Sequence, residues 1–514
     1  MKYRGTFHLL LTIVLLIALT GTDFIKTTSA QTFDQNDYKR GDLTGAMNLL
    51  NMAGERDAVV LELYTAAFNV LEASPSASYE DVVSDEDFQR IIRENGIVHL
   101  GGPMLGVVDS TSVNVWVRTA ANAEVEVRLS INGEEQTFGP VNTTFDTDLA
   151  AIVEVTGLEP GVRYPYEVLI DGQTIEISEH ATISTIPTEE ALRDADGETD
   201  PFRIAFGSCF HRWGLTNQKQ ADLILSREPS AMLLYGDIAV QDRNNHLGLH
   251  RADYLLRDTH IAWRDLTAST PVYATWDDHD YFDNDKAGIP NGYVEADKQG
   301  VCDIFQRSWN NPSYGFGLPD RGIFLRTRIG PCDVIMLDDR YFRSGEKGSF
   351  LGPQQLDWLE AQLLDCEGPF IIMSCGTMWS DYVSNGKDSW GAWDPEGRER
   401  IFSLIEENQI PGVLLISGDR HGARGFRIPR PSGHVFYEFE AGSLGGRSGP
   451  PARSSDWEDV QLYGIAGEYA FGEFTFDVSQ PDPECVFRLI HEEGNVIHEE
   501  RMTRSQLTPP CASE

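Results

Sequence analysis

The segment TWDDHDYFDND, residues 275–285, places five aspartates and one histidine directly after the apolar run PVYA. Two like charges about 4 Å apart repel each other by about 4 kcal/mol at an effective dielectric constant near 20. Protonation of some carboxyl groups or binding of cations relieves this repulsion. The histidine favours cations, because imidazole and carboxylate ligands suit zinc, iron and manganese. A surface loop with separately solvated aspartates is the alternative interpretation of the segment taken alone.

Polar residues follow several other apolar runs of the chain in the same way. These are Cys209 after FRIAFGS, Asp237 after AMLLYG, Asp338, Asp339 and Arg340 after DVIML, and Asp419, Arg420 and His421 after GVLLISG. In open α/β sheets, ligands bind outside the carboxyl ends of the strands. The sequence therefore predicts that these side chains converge on one crevice with the aspartates of residues 275–285, and that cations lie among them.

The elements that must position these residues show an α/β pattern over residues 201–514. Short apolar runs such as FIIMSCG alternate with amphipathic stretches such as GPQQLDWLEAQLLDCEG, in which Leu356, Leu359 and Leu363 share one helical face. Continuous apolar strands between helices indicate a layered α/β domain whose sheets are covered by helices.

The residues before this domain follow other periods. Residues 31–95 are predicted to be helical. Residues 96–188 alternate at period two in SVNVWVRT and AEVEVRLSI, which predicts a small antiparallel β-sandwich. The stretch VTGLEPGVRYPYEVLIDG is similar to fibronectin type III domains, with Trp116 as the core tryptophan and Tyr164 or Tyr166 as the tyrosine-corner residue. Residues 189–200 are polar and are predicted to be a linker.

Residues 1–30 have the organisation of a signal peptide. Lys2 and Arg4 precede an uncharged run from Leu9 to Leu19, and the small residues TSA end at Ala30. This run is too short for a membrane span of about 20 residues. We expect a secreted protein, periplasmic or extracellular, that is cleaved near Ala30 and has no stable membrane span, with an uncleaved anchor as the alternative. Export would permit disulfides among the seven cysteines, whose connectivity the sequence leaves open.

The charge of the chain excludes one class of partner. The formal net charge at pH 7 is −39. Without a basic excess the chain has nothing to displace the counterions of nucleic-acid phosphates, so we expect no binding of duplex nucleic acid. Docking on anionic lipid is disfavoured for the same reason. The sequence leaves the oligomeric state open.

The motifs GSC, LLYGD, TWDDHD and LISGDRH, in this order, resemble the alkaline phosphatase D-like (PhoD-like) family of the calcineurin-like metallophosphatases. The segments LDDRYFR, LGPQQLDWLEAQL and WGAWDPEGRERIFSLI are also similar to that family, and the likeness spans about residues 200–440. It implies an α/β (α+β) layered domain of mixed β-sheets flanked by helices, preceded by the small fibronectin III-like sandwich. It also implies a two-metal phosphoesterase.

The resemblance implies a set of metal ligands, with Asp237 as the bridge between two ions: Cys209, Asp237, Asp278, Asp419 and His421. It implies two or more metal ions, with iron and calcium expected first and zinc or manganese as alternatives. His279 would act with Asp278 in catalysis, either by stabilising the phosphoryl oxygens or by protonating the leaving alcohol. For Cys209, a buried apolar cysteine is the alternative.

Weaker candidates surround this set. Three arginines, Arg420, Arg340 and Arg424, are candidates to bind a phosphate oxygen of the substrate, and pairing with a nearby aspartate is the alternative for each. Four histidines are expected to be ordinary surface residues: His211, His246, His250 and His260.

One position departs from the family pattern. Many relatives carry a tyrosine three residues after the bridging aspartate, where it can bind iron, and Val240 stands at that place. Valine cannot coordinate a metal, so the sequence argues against an iron–tyrosinate centre. Asp242 is a candidate replacement.

The resemblance thus implies a secreted, metal-dependent phosphoesterase that hydrolyses phosphomonoesters, phosphodiesters or both, by attack of a metal-bound hydroxide on phosphorus. Its substrate would be a small-molecule or lipid phosphoester. One alternative is a phospholipase-like phosphodiesterase. The other is a non-catalytic cell-surface binding protein with a degenerate phosphatase domain, which the valine at position 240 favours.

Overall fold

The computed structural model describes residues 41–194, 201–343, 348–382 and 389–511. The predicted signal peptide and its cleavage near Ala30 lie outside these residues. Within them, no helix is long and apolar enough to cross a membrane. All seven cysteines lie in the described ranges, and each is a free thiol.

The described chain begins with four helices, continues with eight strands and then mixes helices and strands. The helices are α1 Leu43–Leu50, α2 Ala58–Glu72, α3 Tyr79–Ser84, α4 Glu86–Asn95, α5 Glu189–Arg193, α6 His211–Gly214, α7 Gln218–Ser226, α8 Leu247–Thr259, α9 Ile261–Thr267, α10 Asp278–Tyr281, α11 Glu295–Ser308, α12 Gly352–Leu364, α13 Trp390–Trp393 and α14 Pro395–Glu407.

The strands are β1 His99–Gly106, β2 Ser112–Thr119, β3 Glu124–Ile131, β4 Glu134–Asn142, β5 Ala150–Thr156, β6 Arg163–Ile170, β7 Gln173–Thr174, β8 Thr182–Ser184, β9 Phe202–Gly207, β10 Ala231–Tyr235, β11 Val272–Thr275, β12 Leu325–Ile329, β13 Cys332–Met336, β14 Phe370–Ser374, β15 Val413–Ser417, β16 Gly422–Pro429, β17 Val435–Gly442, β18 Gln461–Ile465, β19 Ala470–Asp477, β20 Glu484–His491 and β21 Val496–Thr503.

Helices α1–α4 occupy the part of the chain that the sequence predicts to be helical. Each begins at a side chain that accepts a backbone N–H of its first turn, namely Asp42, Asp57, Ser78 and Asp85. Helix α4 ends at Gly96, whose φ of 63° is a left-handed conformation that glycine adopts without strain. The hydroxyl of Tyr64 in α2 donates to the carbonyl oxygen of Ala252 in α8 at 3.2 Å, which attaches these helices to the following domain.

Strands β1–β8 form two antiparallel sheets, with the orders β1-β2-β5 and β4-β3-β6-β7, and β8 pairs with β6. Alternate residues of β3 are buried, as the period-two pattern predicts. They share one core with apolar residues of β2 and β5. The hydroxyl of Tyr164 accepts the backbone N–H of Glu159 at 2.9 Å. The likeness to fibronectin type III domains and the predicted domain bounds stay predictions.

The prediction that Trp116 is the core tryptophan of these sheets is wrong. Val115 and Val117 belong to the shared core, and the residue between them points to the opposite face of β2. There Trp116 packs with Trp263 of α9, and its Nε1 donates to the carbonyl oxygen of Arg307 in α11 at 3.1 Å. Trp116 therefore joins the β-sheets to the helices of the next domain.

We expect Trp116→Ala to lower the free energy of unfolding by about 3–5 kcal/mol, because the change leaves a large cavity between buried elements. The matched control is Ile152→Ala on β5, because Ile152 is the register partner of Trp116 and is 39% exposed. Ile152→Ala should lower the free energy of unfolding by less than about 1 kcal/mol. Urea unfolding measures both, and a Trp116 variant as stable as the control would contradict the packing.

Two mixed sheets pack face to face in the rest of the chain. One has the order β11-β10-β9-β19-β20-β21 and the other β12-β13-β14-β15-β17-β16-β18. Phe439 and Phe487 stack between them with ring centroids 4.2 Å apart. Helices α7, α8, α9 and α11 cover the first sheet, and α12 and α14 cover the second. The prediction of mixed sheets flanked by helices is confirmed.

Parallel pairing in both sheets directs the candidate residues to a common edge. In the first sheet, β9, β10 and β11 run parallel. In the second sheet, β13, β14 and β15 run parallel. The loops that follow β9, β10, β11, β13 and β15 carry the polar residues that the sequence marks. Strand direction therefore explains how residues more than 200 positions apart in the sequence come together.

Candidate metal centre

Four side chains from three loops bring their donor atoms together at this edge. Cys209 and His211 follow β9, Asp237 follows β10, and His421 follows β15. One ligand atom from each residue lies within 4.8 Å of those of the others. We call these four residues the Cys209 cluster. A thiol, two imidazoles and a carboxylate form a donor set that suits zinc or iron.

Two further groups adjoin the Cys209 cluster. One contains Asp237, Asp278 and His279, and the other contains Asp277, Asp278 and Asp419. Asp237 is shared with the Cys209 cluster, and Asp278 is shared by the two further groups. The three groups therefore form one continuous set of donors. A carboxylate shared by two groups can hold two cations side by side, as two-metal sites require.

The structure brings together all five residues that the resemblance marks as metal ligands. Cys209, Asp237, Asp278, Asp419 and His421 each belong to at least one of the three groups. Their role as ligands stays a prediction. The expected negative crowding is present, because the described chain places carboxylates from three separate loops in contact distance.

The prediction that His211 is a surface histidine is wrong, since its side chain is 0% exposed and lies in the Cys209 cluster. His250 and His260 are also buried, and His246 is partly buried and caps α8. The sequence feature that could mark His211 as a site residue is its position, two residues after Cys209 at the end of a strand.

Backbone strain is concentrated at this edge. Cys209, His211, Asp237, Asp419 and His421 all have φ between 46° and 75°. Residues other than glycine rarely adopt this left-handed region. Such conformations cost of order 1–3 kcal/mol each and cluster at functional sites, where the surrounding structure enforces them. The fold therefore holds these five side chains in place at a local energetic cost.

Burial and mutual repulsion oppose the charged forms of these acids. Burial, followed by the charge of Asp237, raises the pKa of the Cys209 thiol well above its ordinary value. Burial also raises the pKa of Asp277, and Asp278 and Asp339 add to the effect although Arg340 opposes it. A cation among these groups would favour the thiolate and carboxylate forms that bind metals.

Three buried donor atoms of the Cys209 cluster have no hydrogen-bond partner among the described residues. They are Nε2 of His211, Oδ1 of Asp237 and Nε2 of His421. Unpaired buried polar atoms are rare in folded proteins, and each costs about 1–3 kcal/mol in lost hydration. Bonds to a metal ion would satisfy these atoms, so the residues present fit a bound cation.

His279 lies where it can hold a proton beside these groups. Its Nδ1 donates to Oδ1 of Asp242 at 2.5 Å and lies 2.9 Å from Nε2 of Gln241. Burial lowers the pKa of the imidazole, but the charges of Asp237 and Asp278 and the contact with Asp242 raise it, and the net pKa is well above its ordinary value.

Comparison with known proteins agrees with this geometry. Residues 235–480 match the model of the PhoD-like phosphatase family. We call this part of the chain the PhoD-like domain, and the match supports a hydrolase of phosphoric esters. Residues 98–188 match a second model, a domain of unknown function (DUF7800).

The chain is similar to alkaline phosphatase D of Bacillus subtilis (strain 168), with 23% identity over 241 residues. The match covers 41% of this chain and 39% of that protein, so the chain spans well under half the length of this relative. The fold is similar to the solved structure of PhoD, with a TM-score of 0.59 and 16% identity over 78% of this chain and 92% of that chain.

Val240, the residue that departs from the family pattern, lies in the PhoD-like domain. The side chain of Val240 is fully buried in an apolar cluster, and its backbone N–H donates to Oδ1 of Asp280 at 3.2 Å. Asp242, the expected replacement, binds His279. It lies outside the three donor groups found among the described residues, so it does not take the place of the tyrosine.

The three arginines that the sequence marks all contact acidic residues. Arg340 pairs with Asp277, and Arg420 lies 2.9 Å from the carboxylate of Asp419. Arg424 donates to the carboxylate of Glu440 at 2.8 Å. The alternative of pairing with an acid is confirmed for these side chains.

Arg447 is a cation near the PhoD-like site that the sequence analysis missed. A Cβ on Gly445 would meet the carbonyl oxygen of Cys209, and a Cβ on Gly449 would meet the Cβ of His421. The segment that carries Arg447 therefore lies against two of the loops that form the Cys209 cluster. Burial lowers the pKa of His421, and the charge of Arg447 lowers it further although Asp237 opposes the shift.

Asp280 shapes the loop that carries Asp237. Its carboxylate accepts the backbone N–H groups of Ile238, Ala239 and Val240 at 3.1–3.2 Å. Burial, followed by the charge of Asp237, raises the pKa of Asp280 to about 7, although the three backbone N–H groups oppose the shift.

We expect Asp280→Ala to lower the free energy of unfolding by about 3 kcal/mol or more, because three buried N–H groups lose their acceptor. Metal binding should weaken as well, because the Asp237 loop loses its support. The control is Asp283→Ala on the same segment, whose side chain is partly exposed and should change stability by less than about 1 kcal/mol. Thermal unfolding compares the two, and equal losses would contradict the role of Asp280.

Proposed function

We propose that this protein is a secreted, metal-dependent phosphoesterase that hydrolyses phosphomonoesters, phosphodiesters or both. The observation that carries the proposal is the convergence of a thiol, imidazoles and carboxylates on the carboxyl edge of two sheets. The match of the central region to the PhoD-like family supports it. The apolar run of residues 9–19 supports secretion, and cleavage near Ala30 follows from the sequence pattern.

The electrostatic balance of the protein requires local positive charge at such a site. A phosphoester is an anion, and the chain carries a formal charge of −39. The long-range field therefore opposes substrate approach. Cys209, Asp237, Asp278, Asp419 and His421 would hold the cations that reverse this field. When bound, the cations supply positive charge for the phosphoryl oxygens and make water a nucleophile near neutral pH.

The remaining side chains would orient the phosphoester and donate protons. His279, held by Asp242, would either donate a proton to the leaving oxygen or a hydrogen bond to a phosphoryl oxygen. Arg420, which lies 2.9 Å from the carboxylate of Asp419 at the site, would contact the phosphate, whereas Arg340 is buried and engaged with Asp277. Arg447, on the segment packed against the Cys209 cluster, is a stronger candidate for a phosphate contact than Arg340.

Activity assays on the purified chain test this proposal. An aryl phosphate, a bis-aryl phosphodiester and a phospholipid in mixed micelles should be assayed before and after chelation, with readdition of calcium, manganese, zinc or iron. Activity that is lost on chelation and restored by a metal supports the proposal. Preference for the phospholipid would instead favour the phospholipase-like diesterase. A folded, metal-loaded and inactive protein would favour a binding protein with a degenerate domain.

Elemental analysis provides an independent check on the paired site. We expect two or more metal atoms per chain in freshly purified protein, since three donor groups share two carboxylates. One atom or fewer per chain would contradict a bridged pair even if some activity remained.

A further inference from the structure

The Cys209 cluster contains a donor, His211, that the sequence does not mark as a metal ligand. His211 stands two residues after Cys209, and its side chain is 0% exposed. Its Nε2 has no hydrogen-bond partner within the described parts of the chain. One ring nitrogen of His211 lies within 4.8 Å of ligand atoms of Cys209, Asp237 and His421. Four ligand atoms about 3.4–3.8 Å apart are what a tetrahedral ion with bonds of about 2.1–2.3 Å requires.

Hydrogen bonding fixes which nitrogen of His211 is available. The side-chain NH₂ of Gln241 donates to Asp242 at 2.9 Å, so its amide oxygen is the atom that faces His211. Nδ1 of His211 lies 3.0 Å from that oxygen. Because an amide oxygen only accepts, Nδ1 must carry the hydrogen and Nε2 must carry the lone pair. This arrangement, in which a second residue fixes the tautomer, is typical of histidines that bind metals.

Packing also fixes the direction of the ring. The imidazole of His211 stacks on Trp213 with ring centroids 4.8 Å apart and an interplanar angle of 18°. It meets the ring of His421 edge-on at 4.8 Å. The φ of His211 is 46°, a strained value for this residue. The fold therefore holds the imidazole of His211 in the cluster.

We propose that His211 is a metal ligand, that it completes a Cys209–His211–Asp237–His421 site in place of the tyrosine replaced by Val240, and that this site binds zinc. A soft thiolate with two imidazoles and one carboxylate is a donor set that zinc favours. Calcium requires six to eight oxygen ligands and does not suit it. The inference rests on the proposed function only in assuming that a cation occupies this part of the site.

Cobalt(II) substitution tests the proposal without any measurement of activity. The full chain is stripped of metal, titrated with Co²⁺ and then with Zn²⁺, and followed by absorption spectroscopy and by elemental analysis. In the wild type, the first equivalent of cobalt should give a near-ultraviolet thiolate-to-cobalt band and visible bands of tetrahedral intensity. Zinc should then displace the cobalt and abolish both sets of bands.

The variants separate His211 from the rest of the site. Loss of a residue that orients a metal ligand weakens metal binding about 10–100-fold. We therefore expect Gln241→Ala to lower the affinity for zinc within this range. We expect His211→Ala to lower it roughly 100-fold or more. His211→Ala should also lose the tetrahedral visible bands. Cys209→Ala should lose the thiolate band, which separates this site from the other six cysteines. His434→Ala, a buried histidine outside the cluster, is the control and should match the wild type.

The outcomes are distinguishable. If His211→Ala keeps the cobalt spectrum and the zinc affinity of the wild type while Cys209→Ala loses them, His211 is not a ligand, and the proposed phosphoesterase function is unaffected. If the wild type binds neither metal, the inference fails, and the proposed function is then decided by the activity assays with calcium, manganese or iron. If His211→Ala does not fold, Gln241→Ala decides, because it leaves the imidazole in the protein, and a wild-type zinc affinity in that variant would overturn the proposal.

Discussion

Asp237→Asn is expected to lower kcat for phosphoester hydrolysis by about 10³-fold or more and to reduce the metal content to one atom or fewer per chain. Asp237 is the residue shared by the Cys209 cluster and the adjoining group with Asp278 and His279. An asparagine amide is neutral and cannot bridge two cations. Loss of one cation removes several kcal/mol of transition-state stabilisation, and about 4 kcal/mol corresponds to ~10³ in rate.

A matched control for this variant is Asp338→Asn. Asp338 also follows a strand at the same edge and is fully buried, but it lies outside the three donor groups of the described residues. Its carboxylate accepts from Trp276, Ile323 and Tyr341 at 2.7–2.9 Å. We expect the control to lose stability and to keep its metal content. An Asp237→Asn protein with the full metal content and more than a tenth of the activity would contradict the bridging role.

The candidate site could be predicted largely because strand direction is readable from sequence. Asp237, Asp278 and Asp419 each follow a continuous apolar run, and such runs in a parallel arrangement end at one edge. The prediction needed no knowledge of side-chain geometry. It required only that the runs be buried strands, which β10, β11 and β15 are.

His211 could not be predicted with the same argument. In the sequence CFHRW it is a single histidine, and its role depends on a left-handed turn that no sequence motif predicts. Its decisive contacts are with Gln241 and His421, and these residues lie on loops that follow other strands. Only tertiary structure brings them together.

Trp116 shows a second limit of periodicity. The period-two pattern of β2 predicts that Val115 and Val117 share one face and Trp116 the other. It does not say which face belongs to the sandwich core when a neighbouring domain buries both. The largest apolar residue was assigned to the core, whereas it packs between the sheets and helices α9 and α11.

Arg447 was missed because it follows none of the apolar runs that end at the site. It lies in GGRSGP, after β17, where glycines permit close approach to the loops of Cys209 and His421. A search restricted to strand ends does not find such a residue. Its proximity to the site is a consequence of loop packing alone.

His279→Ala is expected to lower kcat by about 10²–10⁴-fold, the range for loss of a positioned general acid. His279 lies beside Asp237 and Asp278 in one donor group, and its Nδ1 is bound to Asp242 at 2.5 Å. That bond leaves Nε2 as the atom that can face a bound phosphoester. Steady-state kinetics at saturating metal measure the loss.

The choice of leaving group distinguishes the two roles proposed for His279. If the imidazole protonates the leaving oxygen, His279→Ala should lower kcat severely for alkyl phosphates. It should lower kcat much less for aryl phosphates, whose leaving groups are more acidic. If it stabilises the phosphoryl oxygens, both substrates should lose activity equally. Asp242→Asn keeps the imidazole of His279 but weakens the hydrogen bond that holds it, so we expect activity to fall about 10–100-fold. Activity within tenfold of the wild type for both substrates in His279→Ala would exclude either role, because the cations alone would then carry the reaction.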